Sequence, residues 1–144
     1  MKSIITKLWE QELLPIKDAI YFSNGESCSC KIATYPSRSI EIGEKFSLED
    51  FHETHKQDVC HIDIFKEISL TNGGYSCVGE GSYGSEGFIA YLDKEKKLIW
   101  VIYSESSNPF IDITQVNDNT ISASSSTDIK IIIDLENPQT LEFI

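Results

Sequence analysis

Apolar and polar positions alternate with a period near two over most of this chain, the spacing of half-buried β-strands. Residues 19–23 and 27–35 read as strands joined at Asn24-Gly25, a dipeptide suited to a tight hairpin turn. Residues 39–42 form a further short strand. Over 59–70, Cys60, Ile62 and Ile64 stand opposite His61, Asp63 and Phe65, so this run is expected to be one half-buried strand with His61 facing solvent. Asn72-Gly73-Gly74 turns it back into 75–78. Residues 88–92 and 98–103 flank a charged hairpin loop, 93–97. Runs at 111–116, 120–124, 129–135 and 141–144 follow, separated by turns at Asn117-Asp118-Asn119 and Glu136-Asn137-Pro138-Gln139. The serine-rich cluster 122–126 reads as an edge strand or a loop.

Helical spacing is confined to two places. Ile4, Ile5, Leu8, Trp9 and Leu13 recur at roughly helical intervals over 3–14, and Pro15 ends or kinks that segment. Ser47 is placed to cap a short helix over about 48–57, with Asp50 in its first turn. About nine short strands with one or two short helices predict a mainly β (α+β) domain, a largely antiparallel sheet or sandwich occupying 1–144 as a single unit.

Composition supports a folded core. The chain has 144 residues, 40% hydrophobic and 10% aromatic, which is too apolar for a disordered tail. Charge changes the picture more. Against 23 acidic residues stand 12 basic ones, a net charge of −11, which repels phosphate backbones and anionic membrane surfaces. The imbalance is local. Residues 41–67 carry eight acidic and three basic residues, net −5, and residues 104–144 carry seven and one, net −6. Such a surface keeps a protein soluble, or it presents a face to a basic partner and speeds encounter.

The start of the chain lacks the apolar run of a signal peptide, and no stretch approaches the ~20 apolar residues of a membrane span. A cytoplasmic location and reduced cysteines are therefore expected. Cys28-Ser29-Cys30 alternates like a strand, so both thiols share a face and are read as small buried hydrophobes. They lack the two-residue spacing of metal and redox pairs.

Tests for chemistry return little. His52 and His55 share a helix face near Glu49 and Glu53, yet no HExxH pattern or third ligand accompanies them. Gly81-Ser82-Tyr83-Gly84 falls one residue short of a nucleophile elbow. The pair Glu80 and Glu86 has the residue types of a glycosidase, but acidic chains hold many such pairs. The glycine-rich stretch 79–87 lacks a phosphate-binding lysine and carries two glutamates. No catalytic residue, metal or cofactor is assigned, and the chain is read as a non-enzyme. The stretch 79–87 reads either as an irregular hairpin or as a recognition loop with Tyr83 as a rigid anchor.

The segments GEGSYGSEGFIAYLD and LIWVIYSESSNPF, within 75–110, resemble small immunity proteins of bacterial contact-dependent growth-inhibition and related polymorphic toxin systems. The resemblance covers about a quarter of the chain. It implies a cytosolic protein that binds the C-terminal domain of one cognate toxin and blocks it. Many such toxins are nucleases, hence basic, which suits the acidic surface. Carboxylates set against a nuclease's lysines and arginines mimic the nucleic-acid backbone. Partner-binding candidates are Glu49, Asp50 and Glu53 on the helix, Glu80, Tyr83 and Glu86 at the glycine loop, and Glu105 in the following turn. The alternative is a β-rich module for a small ligand or carbohydrate, with Tyr83, Trp100 and Tyr103 lining an aromatic pocket.

Overall fold

The computed structural model describes residues 2–144. In chain order the elements are α1 (Ile4–Glu10), β1 (Leu13–Pro15), β2 (Ala19–Phe22), β3 (Ser27–Ala33), β4 (Ser39–Lys45) and α2 (Leu48–Thr54). There follow β5 (Val59–His61), β6 (Asp63–Ser69), β7 (Tyr75–Glu80), β8 (Gly87–Leu92) and β9 (Leu98–Ser104). The chain ends with β10 (Phe110–Asn117), β11 (Thr120–Ser125), β12 (Lys130–Asp134), a 3-10 turn at Pro138–Thr140 and β13 (Glu142–Phe143). All strand pairings are antiparallel, and the fold is mainly β with two short helices, as the alternation predicts.

Seven strands form one sheet in the order β4-β3-β2-β9-β8-β7-β6. A four-stranded sheet, β10-β11-β12-β13, packs on one of its faces. The other face is covered by α1, α2 and the two-stranded ribbon β1-β5. The central strands of the large sheet are thus buried on both faces, and they read as continuous apolar runs for that reason. In β9, Trp100 and Ile102 point to the small sheet, whereas Val101 and Tyr103 point to the helices. Burying an apolar side chain of this size contributes roughly 1.5–3 kcal/mol. Trp100 also donates its indole N–H to the Leu135 carbonyl at 2.9 Å, tying the two sheets together.

Several expectations need correction. The first helix stops at Glu10, because Glu12 adopts a left-handed φ of 60° and turns the chain into β1; Pro15 lies in that strand and ends no helix. The run 59–70 is two strands. β5 pairs with β1, β6 pairs with β7, and between them the Ile62 N–H donates to the Glu12 carbonyl at 3.1 Å. Cys60 and Ile62 are buried as expected, but Ile64 is exposed, because β6 is the last strand of its sheet. Most of the serine cluster is neither edge nor loop: 122–125 belong to β11, an interior strand whose small side chains at Ala123 and Ser125 are buried, and Ser126 alone begins the turn that follows.

Other details hold. Ser47 accepts the Asp50 N–H at 3.1 Å and starts α2, which ends at Thr54. Cys28 and Cys30 share the small-sheet face of β3. Burial pushes the Cys30 and Cys77 thiols up to about 12. Among the described residues, no helix is long and apolar enough to cross a membrane.

Candidate partner-binding surface

The β7–β8 connection, residues 81–86, is the glycine loop. Gly84 takes a φ of +91°, which a residue with a side chain rarely adopts. The Glu86 carboxylate accepts the Tyr83 N–H at 2.8 Å, closing the loop on itself. The Ser82 hydroxyl donates to the His61 carbonyl at 2.9 Å and fixes the loop to β5.

A second turn braces the first. The Asn108 N–H donates to the Ser85 carbonyl at 2.8 Å, joining the β9–β10 connection to the glycine loop. Gly87 makes this fit possible, since a Cβ there would stand 2.4 Å from the Asn108 carbonyl oxygen. The Ser104 hydroxyl accepts the Ser107 N–H at 3.1 Å. At the start of β2, Asp18 accepts the Glu105 N–H at 2.6 Å. The two turns therefore form one hydrogen-bonded unit at one end of the large sheet, with Tyr83 71% exposed on it.

Electrostatics at this end are crowded. Burial raises the Asp18 carboxyl above its ordinary value, against the lowering effects of the Glu105 N–H, Lys31 and Lys17. Glu105 is also raised, first by burial and then by the charges of Asp18 and Glu86. Beneath them, burial raises Tyr103, whose hydroxyl accepts from the Cys60 thiol at 3.8 Å. Asp18, Glu105 and Glu41 border an open recess together with Lys17 and Lys31.

The candidate residues divide on this geometry. Tyr83 and Glu105 are exposed and share the braced unit; Glu80, half-buried at the end of β7, stands opposite Asp63. Glu86 does not belong with the surface contacts. It is 3% exposed and holds the loop from inside, so its role as a direct partner contact is corrected to a positioning one. Glu49, Asp50 and Glu53 are exposed on α2. Lys17 connects the two groups: its ammonium lies 4.7 Å from the Phe46 ring centre and 5.6 Å from that of Phe51 on α2, next to Asp18 in sequence.

The aromatic pocket does not form from the three residues proposed for it. Trp100 is 1% exposed and Tyr103 fully buried, on opposite faces of the large sheet, while Tyr83 is at the surface. His55 stacks on Phe51 at 4.4 Å, with its Nδ1 within hydrogen-bond distance of the Phe51 carbonyl and the Thr54 hydroxyl. Among the described residues, no three His, Cys, Asp or Glu side chains are grouped to hold a metal ion. Sequence reasoning missed Asp18, whose partner Glu105 is 87 residues away, and no local signal marks that pair. No family model, curated protein or solved structure matches this chain.

Proposed function

We propose that this chain is a cytoplasmic immunity protein that binds the C-terminal domain of a cognate toxin, of the basic nuclease class, and neutralises it without catalysis. The observation that carries the reading is Tyr83, a large aromatic side chain left exposed on a loop whose backbone is fixed from both sides. A pre-ordered aromatic anchor loses little conformational entropy on binding and suits an interface hot spot. Glu105 is exposed on the turn braced to that loop, Glu80 is half-buried on the strand that leads into it, and Glu49, Asp50 and Glu53 are exposed on α2. A chain of net charge −11 meets a basic domain with favourable long-range attraction.

The test is co-expression of the tagged chain with the protein encoded immediately upstream in its own genome. Stoichiometric co-purification is expected, with Tyr83→Ala weakening binding about 30-fold or more, the scale of a hot-spot residue. Joint Glu80→Lys and Glu105→Lys exchange should weaken it further, while both variants melt within about 2 °C of the parent. A folded, soluble upstream protein that does not bind would overturn the reading.

A further inference from the structure

The two long edges of the seven-stranded sheet are unlike. At the β6 edge, where β6 pairs with β7 alone and is largely exposed, the small sheet lies alongside: β10 is adjacent, Lys66 pairs with Asp112, and the Thr71 N–H donates to the Gln115 side chain at 3.0 Å. At the opposite edge β4 pairs with β3 alone. β13 approaches that flank, yet it pairs with β12, and among the described residues no hydrogen bond joins it to β4.

The register identifies which groups of β4 are free. The Cys30 N–H donates to the Asp18 carbonyl at 3.3 Å, so the main-chain groups of Cys30 face β2. In an antiparallel ladder the N–H and C=O of one residue lie on the same side, and successive residues alternate. Cys30↔Ile42 and Ile32↔Ile40 are therefore the pairs without mutual hydrogen bonds, and Lys31↔Glu41 is the bonded one. The Phe46 N–H, which donates to the Ser27 carbonyl at 3.1 Å, fits the same phase. Ile40 and Ile42 thus aim their N–H and C=O groups out of the sheet. Beyond Ile42 the strand bulges, because Cys28 faces Lys45 while Cys30 faces Ile42, which gives β4 one extra residue. The regular, unpaired edge is Ser39–Ile42.

We propose that this edge takes up an extended, lysine- or arginine-bearing strand of the partner protein as an eighth strand of the sheet. Two residues spaced two apart, each offering a donor and an acceptor, are what strand addition requires. Native sheets blunt such edges, and here only the far half is bulged. Ile42, 42% exposed, offers apolar contact to the incoming strand. The charge beside the edge selects the occupant. From Ser39 to Thr54 the carboxylates Glu41, Glu44, Glu49, Asp50 and Glu53 are all exposed, and Lys45 is the one cation among them. Arg38 and Lys31 flank the strand without cancelling that excess. A second copy of this chain would bring the same acidic segment and the same −11 charge against itself, so a basic strand is favoured over self-pairing. The inference takes the identity of the partner from the toxin-binding reading, but the chemistry of the edge stands without it.

The probe is a short synthetic peptide alternating lysine and valine, titrated at low salt into the isotope-labelled full chain. Its counterpart alternates glutamate and valine. Peptide-induced NMR shifts centred on Ser39–Ile42 are expected below about 1 mM, with exchange of the Ile40 and Ile42 amides slowed about tenfold or more. Ile42→Pro deletes an outward N–H and no ladder bond, so it should abolish binding while the remaining spectrum persists. The double variant Glu41→Lys, Glu44→Lys keeps the main-chain edge and should weaken binding about tenfold, whether or not the proline variant folds. No shift at 1 mM peptide, shifts centred elsewhere, or equal binding of the glutamate peptide would overturn the proposal. So would a doubled mass of the free chain with Ile40 and Ile42 already protected, which would make the occupant a second copy. Capture of the upstream protein with Ile40 and Ile42 still exchanging freely would sink the edge and leave the toxin reading. Peptide binding at β4 without such capture would do the reverse.

Discussion

Asp18 shows how a single residue can hold a turn and also cost stability. Its carboxylate accepts the Glu105 N–H, yet partial burial raises its pKa above the ordinary 3.8, and Glu105 is raised above 4.5. Both groups bind protons more tightly in the folded chain than in the unfolded one. Their contribution to stability therefore grows as pH falls through the folded values, and their charged forms at neutral pH oppose folding. Asp18→Asn keeps the acceptor and removes the charge. It should raise the melting temperature at pH 7 by roughly a few degrees, and the gain should fade toward about pH 3, where the parent carboxyl is protonated. Melts at the two pH values check this, and a lower melting temperature at neutral pH would count against it. Asp112, lowered by Lys66, works with the opposite sign: its contribution is present above the ordinary value and lost in acid. That pair is exposed and contributes little.

Among the elements, the pairing of β6 with β7 depends on one missing side chain. A Cβ on Gly79 would sit 1.8 Å from the Asp63 carbonyl oxygen. Gly79→Ala should destabilise the fold by more than about 2 kcal/mol, because backbone and not a flexible side chain must move. Gly25, at φ +97° with open space around it, should cost only about 1 kcal/mol on the same exchange. Urea unfolding separates the two. Such close approaches were not legible in the sequence, whereas locally determined features were. The turns at Asn24-Gly25 and Asn72-Gly73-Gly74, the Ser47 cap and the charged 93–97 loop depend on neighbours in sequence, and each is where its chemistry puts it. The break at Ile62 depends on Glu12, and the interior place of the serine-rich β11 depends on β10 and β12. The surface divided in the same way. Exposure of Tyr83 and Glu105 followed from their loops, but the burial of Glu86 is fixed by the closure of the loop around its carboxylate.

At the scale of the whole molecule, the proposed toxin-binding role assigns the acidic excess to approach more than to grip. Association with a basic protein partner should slow about tenfold or more between roughly 50 and 500 mM salt, while dissociation changes little. Stopped-flow mixing separates the two rates. Equal salt sensitivity of both would mean that charge acts within the bound interface and not in steering.

The sheet order also has a consequence for how the chain is made. Ala19 lies beside Tyr103 and Phe22 beside Trp100, so β2 receives its second neighbour only when β9 has been synthesised. At about 5–20 residues per second, that neighbour arrives roughly 4–16 seconds after β2 itself. During this interval the early meander β2-β3-β4 has two open edges and an unshielded apolar face. Until residues 98–104 arrive, the emerging chain therefore carries an incomplete sheet whose open edges and apolar face are prone to aggregation.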